Sequence, residues 1–156
     1  MWELNWLLGQ GETFPSDPAE AHRCVLEVVR QWDLPWLYYF IQNTNIEDII
    51  VHPLMDLNPR GLDVDTLSPG IAFIGDSIHP MSPYKGRGAN EAIVDSDSFV
   101  QSLIKHQGNI DKAFKEYHHE MIPRSSVAVE RSHDATLFYH SSATLNKCEL
   151  YKFNHW

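Results

Sequence analysis

The chain has 156 residues, 43% of them hydrophobic and 12% aromatic, enough for one ordinary domain with a core and too apolar for a disordered chain. Twelve basic against 21 acidic residues give a formal charge of −9, a field that repels phosphate backbones and anionic membranes, so nucleic acid is set aside as a partner. The two cysteines, Cys24 and Cys148, form no CxxC or zinc spacing. The longest apolar stretch, PWLYYFI, is too short for a bilayer, and MWELNWLLGQGE lacks a basic leader region, so a soluble, cytoplasmic protein with no membrane span is expected.

In chain order, WELNWLL alternates apolar and polar positions, with Trp2, Leu4 and Trp6 on one side, and predicts a strand ended by Gly9 and Gly11. Asp17 before Pro18 and three residues ahead of Glu20 predicts a capped helix start. Ala21, Cys24, Val25, Val28, Val29 and Trp32 then mark a buried stripe. Pro35 restarts the chain into a short helix through about Gln42, whose aromatics are expected to face the core. IEDIIVHPL predicts a strand, DLNPRGLDVDTLSPG a surface loop, and the continuous apolar run IAFI a strand covered on both faces. Ala89, Ala92, Ile93, Ser96, Val100, Leu103 and Ile104 keep helical spacing until Gly108 closes the helix. Asn109 caps the next helix, with Ala113, Phe114, Tyr117 and Met121 buried; Pro123 interrupts or kinks it, and the pattern resumes to about Tyr139. No internal domain boundary or repeat is marked, and 141–156 stay unassigned.

The segment that carries chemistry is IAFIGDSIHPMSPYKGRGAN. Asp76, at the end of the predicted strand, can accept from hydroxyls, each such bond to a carboxylate contributing about 1.5–3 kcal/mol. Gly86 and Gly88 permit close backbone approach, and the helix after them starts with unpaired N–H groups that favour negative charge by about 0.3–1 kcal/mol. An acid after glycine is also a common turn residue, and a GxG before a helix is common too; the order of strand, acid, prolyl loop, paired glycines and asparagine is what stands out. Of the neighbours, Lys85 fits a solvated loop lysine or a cation near an anionic ligand, Arg87 an outward-pointing side chain, His79 a loop-ordering imidazole, and Asp95 a helix support. His118 and His119 diverge by about 100° on a helix, so no metal site is expected.

GDSIHPMSPYKGRGANEAIVDSDSFVQSL closely resembles the second flavin-binding motif of the FAD-dependent aromatic hydroxylases, the single-component flavoprotein monooxygenases. The resemblance implies that Asp76 binds the ribityl chain of FAD and that Pro83 to Asn90 lie along the isoalloxazine ring. By the same resemblance, Gly86 belongs to that loop, and the N–H groups of Gly88, Ala89 and Asn90 face the N1 and C2-carbonyl edge, where negative charge gathers on reduction. More weakly, MWELNWLL is similar to a strand of the family's substrate-binding sheet and FKEYHHEMIPR to its YExxRxPR helix, so roughly residues 1–140 are covered. Four departures stand out: Asp56-Leu57 for an Asp-Arg pair, Ser77 and Ile78 for small residues, Arg87 where glutamine is frequent, and HHEM in the middle of the later helix.

The implied fold is α/β: the C-terminal part of an FAD/NAD(P)-binding Rossmann-like fold, with a strand of the substrate-domain sheet. The family's opening GxGxxG unit has no counterpart here, because LLGQGETF lacks the third glycine and runs into Pro15. An intact relative is reduced by NAD(P)H, forms a flavin C4a-hydroperoxide and inserts one oxygen atom into a small organic substrate. The chain is thus expected to be an FAD-binding segment, not active alone, without catalytic side chains, whose partner is a missing N-terminal FAD-binding half. The alternative is a noncatalytic remnant acting as a structural or protein-interaction module.

Overall fold

The computed structural model describes residues 3–5, 8, 11–66 and 70–142. The chain divides into two compact units, Met1–Pro53 and Leu54–Trp156.

In the first unit, Asp17 accepts from the Glu20 N–H at 2.8 Å and opens α1 (Pro18–Val29), with proline at a position that needs no N–H. Such a cap contributes about 1 kcal/mol. Ala21, Val25 and Val29 are buried, and Val25 and Val29 pack with Ile41 of α2 (Pro35–Gln42) while Leu4, Phe14, Leu37 and Tyr38 cover the cluster. The expected α1 stripe is narrower than its spacing suggests: Val28 is exposed, and Trp32 lies past the helix end, also exposed. The core-facing reading of PWLYYFI is corrected as well. Only Ile41 is buried there, whereas Trp36 and Tyr39 are 67% and 69% exposed. IEDIIVHPL forms a 3₁₀ turn at Ile46–Asp48 and then irregular backbone instead of a strand.

The second unit is built on two long helices, α3 (Gly88–Lys105) and α4 (Ile110–Tyr139). Left-handed Gln107 and Gly108 end the first, and Asn109 caps the second by accepting from the Lys112 N–H. Ala113, Tyr117 and Met121 are fully buried as expected, with Ile78, Ile122 and half-buried Phe73, Ile74 and Phe99 around Tyr117 and Met121. Pro123 does not interrupt α4, which runs 30 residues through it. Both Pro123 and His119, whose carbonyl loses its helical donor, are exposed, so water can satisfy that oxygen.

No strand occurs among the described residues, so the expected α/β class is not what they form. Trp2 and Trp6 of the expected N-terminal strand lie outside them, and Glu3–Asn5 are not in a strand. IAFI is extended at Ile74 (φ −135°, ψ 138°) but has no ladder partner, and Ile71 is exposed. Helix side chains do the work of a neighbouring strand. The Phe73 N–H donates to His118 Nε2 at 3.3 Å and its carbonyl accepts from the Tyr117 hydroxyl at 2.8 Å, while Ser77 Oγ serves both polar groups of Ile74.

The orientation of α3 also departs from its apolar spacing. Its buried residues are Glu91, Asp95 and Ser102, while Ile93 and Ile104 are 68% and 66% exposed and Val100 is exposed too. The helix turns charge inward and an apolar stripe outward. No helix among the described residues is long and apolar enough to cross a membrane.

Candidate functional site

The segment from Gly75 to Asn90 consists of two 3₁₀ turns, Gly75–Ser77 and Pro83–Lys85, leading into α3. Gly75 has φ +60°, and a Cβ built on it would lie 3.0 Å from the Ala92 methyl, so the turn needs glycine for both torsion and space. Its carbonyl accepts from the N–H groups of Ile78 and His79, both at 3.1 Å. This tight turn pushes Asp76 outward. Its carboxylate is exposed and has no hydrogen-bond partner among the described residues.

The second turn ends at Gly86, left-handed at φ 60°, ψ 29°, whose N–H donates to the Pro83 carbonyl at 2.8 Å. The chain then enters α3 at Gly88. Arg87 occupies the N-cap position without capping, so the N–H groups of Gly88, Ala89 and Asn90 have no helical acceptors. Ala89 and Asn90 are exposed and Gly88 half-buried, and a Cβ on Gly88 would sit 3.9 Å from Asp76 Oδ1. The fold thus brings Asp76 and Gly88 side by side. Exposed Pro83 and Gly86 serve by shaping the turn that delivers Gly88; the Asn90 side chain reaches back to the Gly86 carbonyl at 3.4 Å.

Beneath this surface lies a charged network. Asp95 is fully buried; its Oδ2 accepts from the Gly75 N–H at 2.8 Å and lies 2.6 Å from His79 Nε2, and its Oδ1 accepts from Arg124 at 2.8 Å. Glu91, one turn earlier, accepts from Arg124 at 2.6 Å and from Arg87 Nε at 3.1 Å. Arg124 also holds Glu120 at 2.8 Å. Burial works against a charged His79, but the hydrogen bond and charge of Asp95 outweigh it and raise its pKa. Burial likewise opposes the Asp95 carboxylate, yet its bonds from His79, Arg124 and Gly75 hold its pKa below the ordinary value. His79 Nδ1 is buried without a partner among the described residues.

The middle of the loop is clamped from another side. The Ser82 N–H donates to Asp56 Oδ1 at 2.7 Å, Ser82 Oγ donates to the Ser132 carbonyl at 2.9 Å, and Asp56 Oδ2 lies 2.8 Å from His133 Nδ1. Tyr84 packs on Tyr139 and edge-on to His140, both at 5.6 Å between ring centres.

The chain is 32% identical over 125 residues to the FAD-dependent monooxygenase adaC of Aspergillus niger, a match covering 73% of this chain. It is 31% identical over 109 residues, 66% of its length, to the FAD-dependent monooxygenase vrtH of Penicillium aethiopicum. By sequence, the chain belongs with the FAD-dependent monooxygenases. A third such relative, phnB of Penicillium herquei, is 31% identical over 85 residues, covering 53% of this chain and 21% of phnB. The chain spans only 29% of the length of adaC and 25% of vrtH. No protein-family model and no solved structure matches it.

In this monooxygenase relative, sequence reasoning gave no role to Glu91, Ser82 or Arg124, although Arg124 ends the stretch similar to the family's later helix. One signal was available for the first. Arg87, Glu91 and Asp95 recur every four residues, which places three charges on one helix face and marks that face as paired or solvated. Nothing local in the sequence marks Ser82, and for Arg124 the local signal points only to Glu120 four residues earlier, because Glu91 and Asp95 lie far along the chain.

Proposed function

We propose that the chain is the flavin-facing segment of an FAD-dependent monooxygenase, comprising residues 1–140, with Asp76, Pro83, Gly86, Gly88, Ala89 and Asn90 as its FAD contacts. The observation that carries this reading is an exposed Asp76 carboxylate beside a helix start, the carboxylate and the first three N–H groups having no hydrogen-bond partner among the described residues. These residues fit the group: the carboxylate accepts from ribityl hydroxyls, the uncapped N–H groups face the electron-rich edge of the ring, and left-handed Gly86 keeps a side chain off the turn.

When bound and reduced by NAD(P)H, FAD supplies the oxygen-activating chemistry for a small organic substrate. The chain's residues bind and orient. Asp76 fixes the ribityl end, and the dipole of α3 favours negative charge on the ring by about 0.3–1 kcal/mol, up to about 2 where partly buried. No side chain of this chain need transfer a proton, and activity requires a second half carrying the GxGxxG unit. In the completed protein the Ile71–Ile74 segment is a strand of the α/β fold, and the enzyme is cytoplasmic.

The outward apolar stripe of Ile93, Val100 and Ile104 supports a completing partner. It equally favours a second reading, a noncatalytic module that uses the same stripe to bind protein. The two separate by flavin titration. The chain, alone or with the N-terminal half of a relative, quenches FAD fluorescence, and Asp76→Ala weakens binding by about 10- to 150-fold, the equivalent of one hydrogen bond to a carboxylate. Absence of quenching under both conditions, or unchanged affinity in Asp76→Ala, refutes the flavin reading.

A further inference from the structure

Two α3 carboxylates are each divided between α4 and the loop that carries the candidate site. Glu91 gives Oε2 to Arg124 and Oε1 to Arg87, at the loop's end. Asp95 gives Oδ1 to Arg124 and Oδ2 to the Gly75 N–H and His79, at the loop's start. One guanidinium therefore reaches both ends of the Gly75–Arg87 loop, each through a single carboxylate. Those ends carry the two groups that the site needs adjacent, the Asp76 carboxylate and the N–H groups from Gly88 onward.

We propose that Arg124 is a positioning residue for the flavin site, setting the distance between Asp76 and the start of α3 by clamping both ends of the intervening loop. Its planar fork matters as much as its charge. Two separate terminal nitrogens hold two carboxylates one helical turn apart, a geometry that a lysine ammonium cannot reproduce at one point. Glu91 and Asp95 are buried and Arg124 half-buried, so the two bonds to the guanidinium are little screened, whereas Arg87 at the loop's end is exposed. Glu120 accepts from Nε at 2.8 Å and, at a long 3.4 Å, from the nitrogen that holds Asp95, but it touches neither loop end.

The role rests on the flavin reading, so the test has an arm that needs no flavin. In the full chain, Arg124→Lys keeps the charge and removes the fork, and Glu120→Gln is the control. Without FAD, amide exchange at the Gly75 N–H and the nuclear Overhauser contact between Asp76 and Gly88 report the clamp. With FAD, fluorescence titration and the visible circular dichroism of the bound flavin report its consequence. Arg124→Lys, with helical circular dichroism retained, is expected to lose protection at Gly75 and the Asp76–Gly88 contact, and to weaken FAD binding about tenfold or more with an altered flavin dichroism. Glu120→Gln leaves all four as in the parent.

Should Arg124→Lys not fold, Glu91→Leu carries the test: the Gly75 N–H stays protected by Asp95 while the Asp76–Gly88 contact is lost. The proposal is overturned if Arg124→Lys keeps that contact and protection, if Glu120→Gln loses them equally, or if Glu91→Leu retains the contact. If the parent chain binds no FAD under any condition, the flavin reading fails while the exchange and contact measurements still decide whether Arg124 holds the loop.

Discussion

Substituting alanine for each glycine of the site loop separates what the fold needs from what the site needs. At Gly75 the left-handed torsion costs an alanine about 1–2 kcal/mol. The new methyl meets Ala92 Cβ at 3.0 Å, and because that methyl is fixed to α3 backbone the helix or the turn must shift, adding about 1–3 kcal/mol of overpacking. The sum, about 2–5 kcal/mol, is a large share of the 5–15 kcal/mol that holds an ordinary domain together. Gly86 shares the torsion but has nothing within 4 Å of an added Cβ, so only about 1–2 kcal/mol is lost. At Gly88 no special torsion is present and the nearest atoms, Asp76 Oδ1 and Met81 Cγ, are at an ordinary 3.9 Å. Gly88→Ala is therefore neutral or stabilising by up to about 1 kcal/mol, yet its methyl stands against the Asp76 carboxylate and weakens FAD binding. Urea unfolding at a common slope measures the first quantity and flavin quenching the second. A Gly88→Ala variant as unstable as Gly75→Ala, or a neutral Gly75→Ala, refutes the geometry.

Three further outcomes follow from the packing. The raised pKa of His79 means that the folded state binds more protons than the unfolded above about pH 6.5, so its stabilisation is complete below that value and is lost as pH rises through the folded pKa. Burial lowers the His118 pKa, so its contribution is complete above about pH 6.5 and is lost as pH falls through the folded pKa. Together the two place a maximum of melting temperature near pH 6.5. His79→Gln should flatten the alkaline limb and His118→Gln the acid limb, and an unchanged profile in both variants contradicts the assignment. Tyr117→Phe strands the Phe73 carbonyl and should cost about 1–3 kcal/mol in urea unfolding; no loss means that water replaces the hydroxyl. Ile93→Glu with Ile104→Lys changes only the exposed stripe of α3, so stability should stay within about 0.5 kcal/mol while self-association in sedimentation falls. A large destabilisation would mean that the stripe is packed.

The helix boundaries were legible where capping chemistry sits in the chain itself. Asp17-Pro18 and Asn109 start α1 and α4 where expected, and Pro35 starts α2. What could not be read was which way a surface faces. The apolar spacing of α3 suggests burial of Ile93 and Ile104, but Glu91 and Asp95 go inward because Arg124, His79 and the Gly75 N–H supply partners from distant positions. IAFI has strand composition without a strand, since a strand needs a neighbour's backbone and here Tyr117 and His118 provide the bonds. The adjacency of Asp76 and Gly88, by contrast, was legible: Gly75 just before Asp76, and Pro83 and Gly86 between it and Gly88, prescribe turns that fold the loop back on itself.

The most direct test of the central claim is a nitrogen-15 correlation spectrum of the labelled chain titrated with FAD, supplemented where needed by an unlabelled N-terminal half from a relative. Shifts centred on the amides of Asp76, Gly88, Ala89 and Asn90, and moved to about 10- to 150-fold higher FAD by Asp76→Ala, are the predicted result. A spectrum in which those four amides stay in place while others move, or in which none moves, would contradict it.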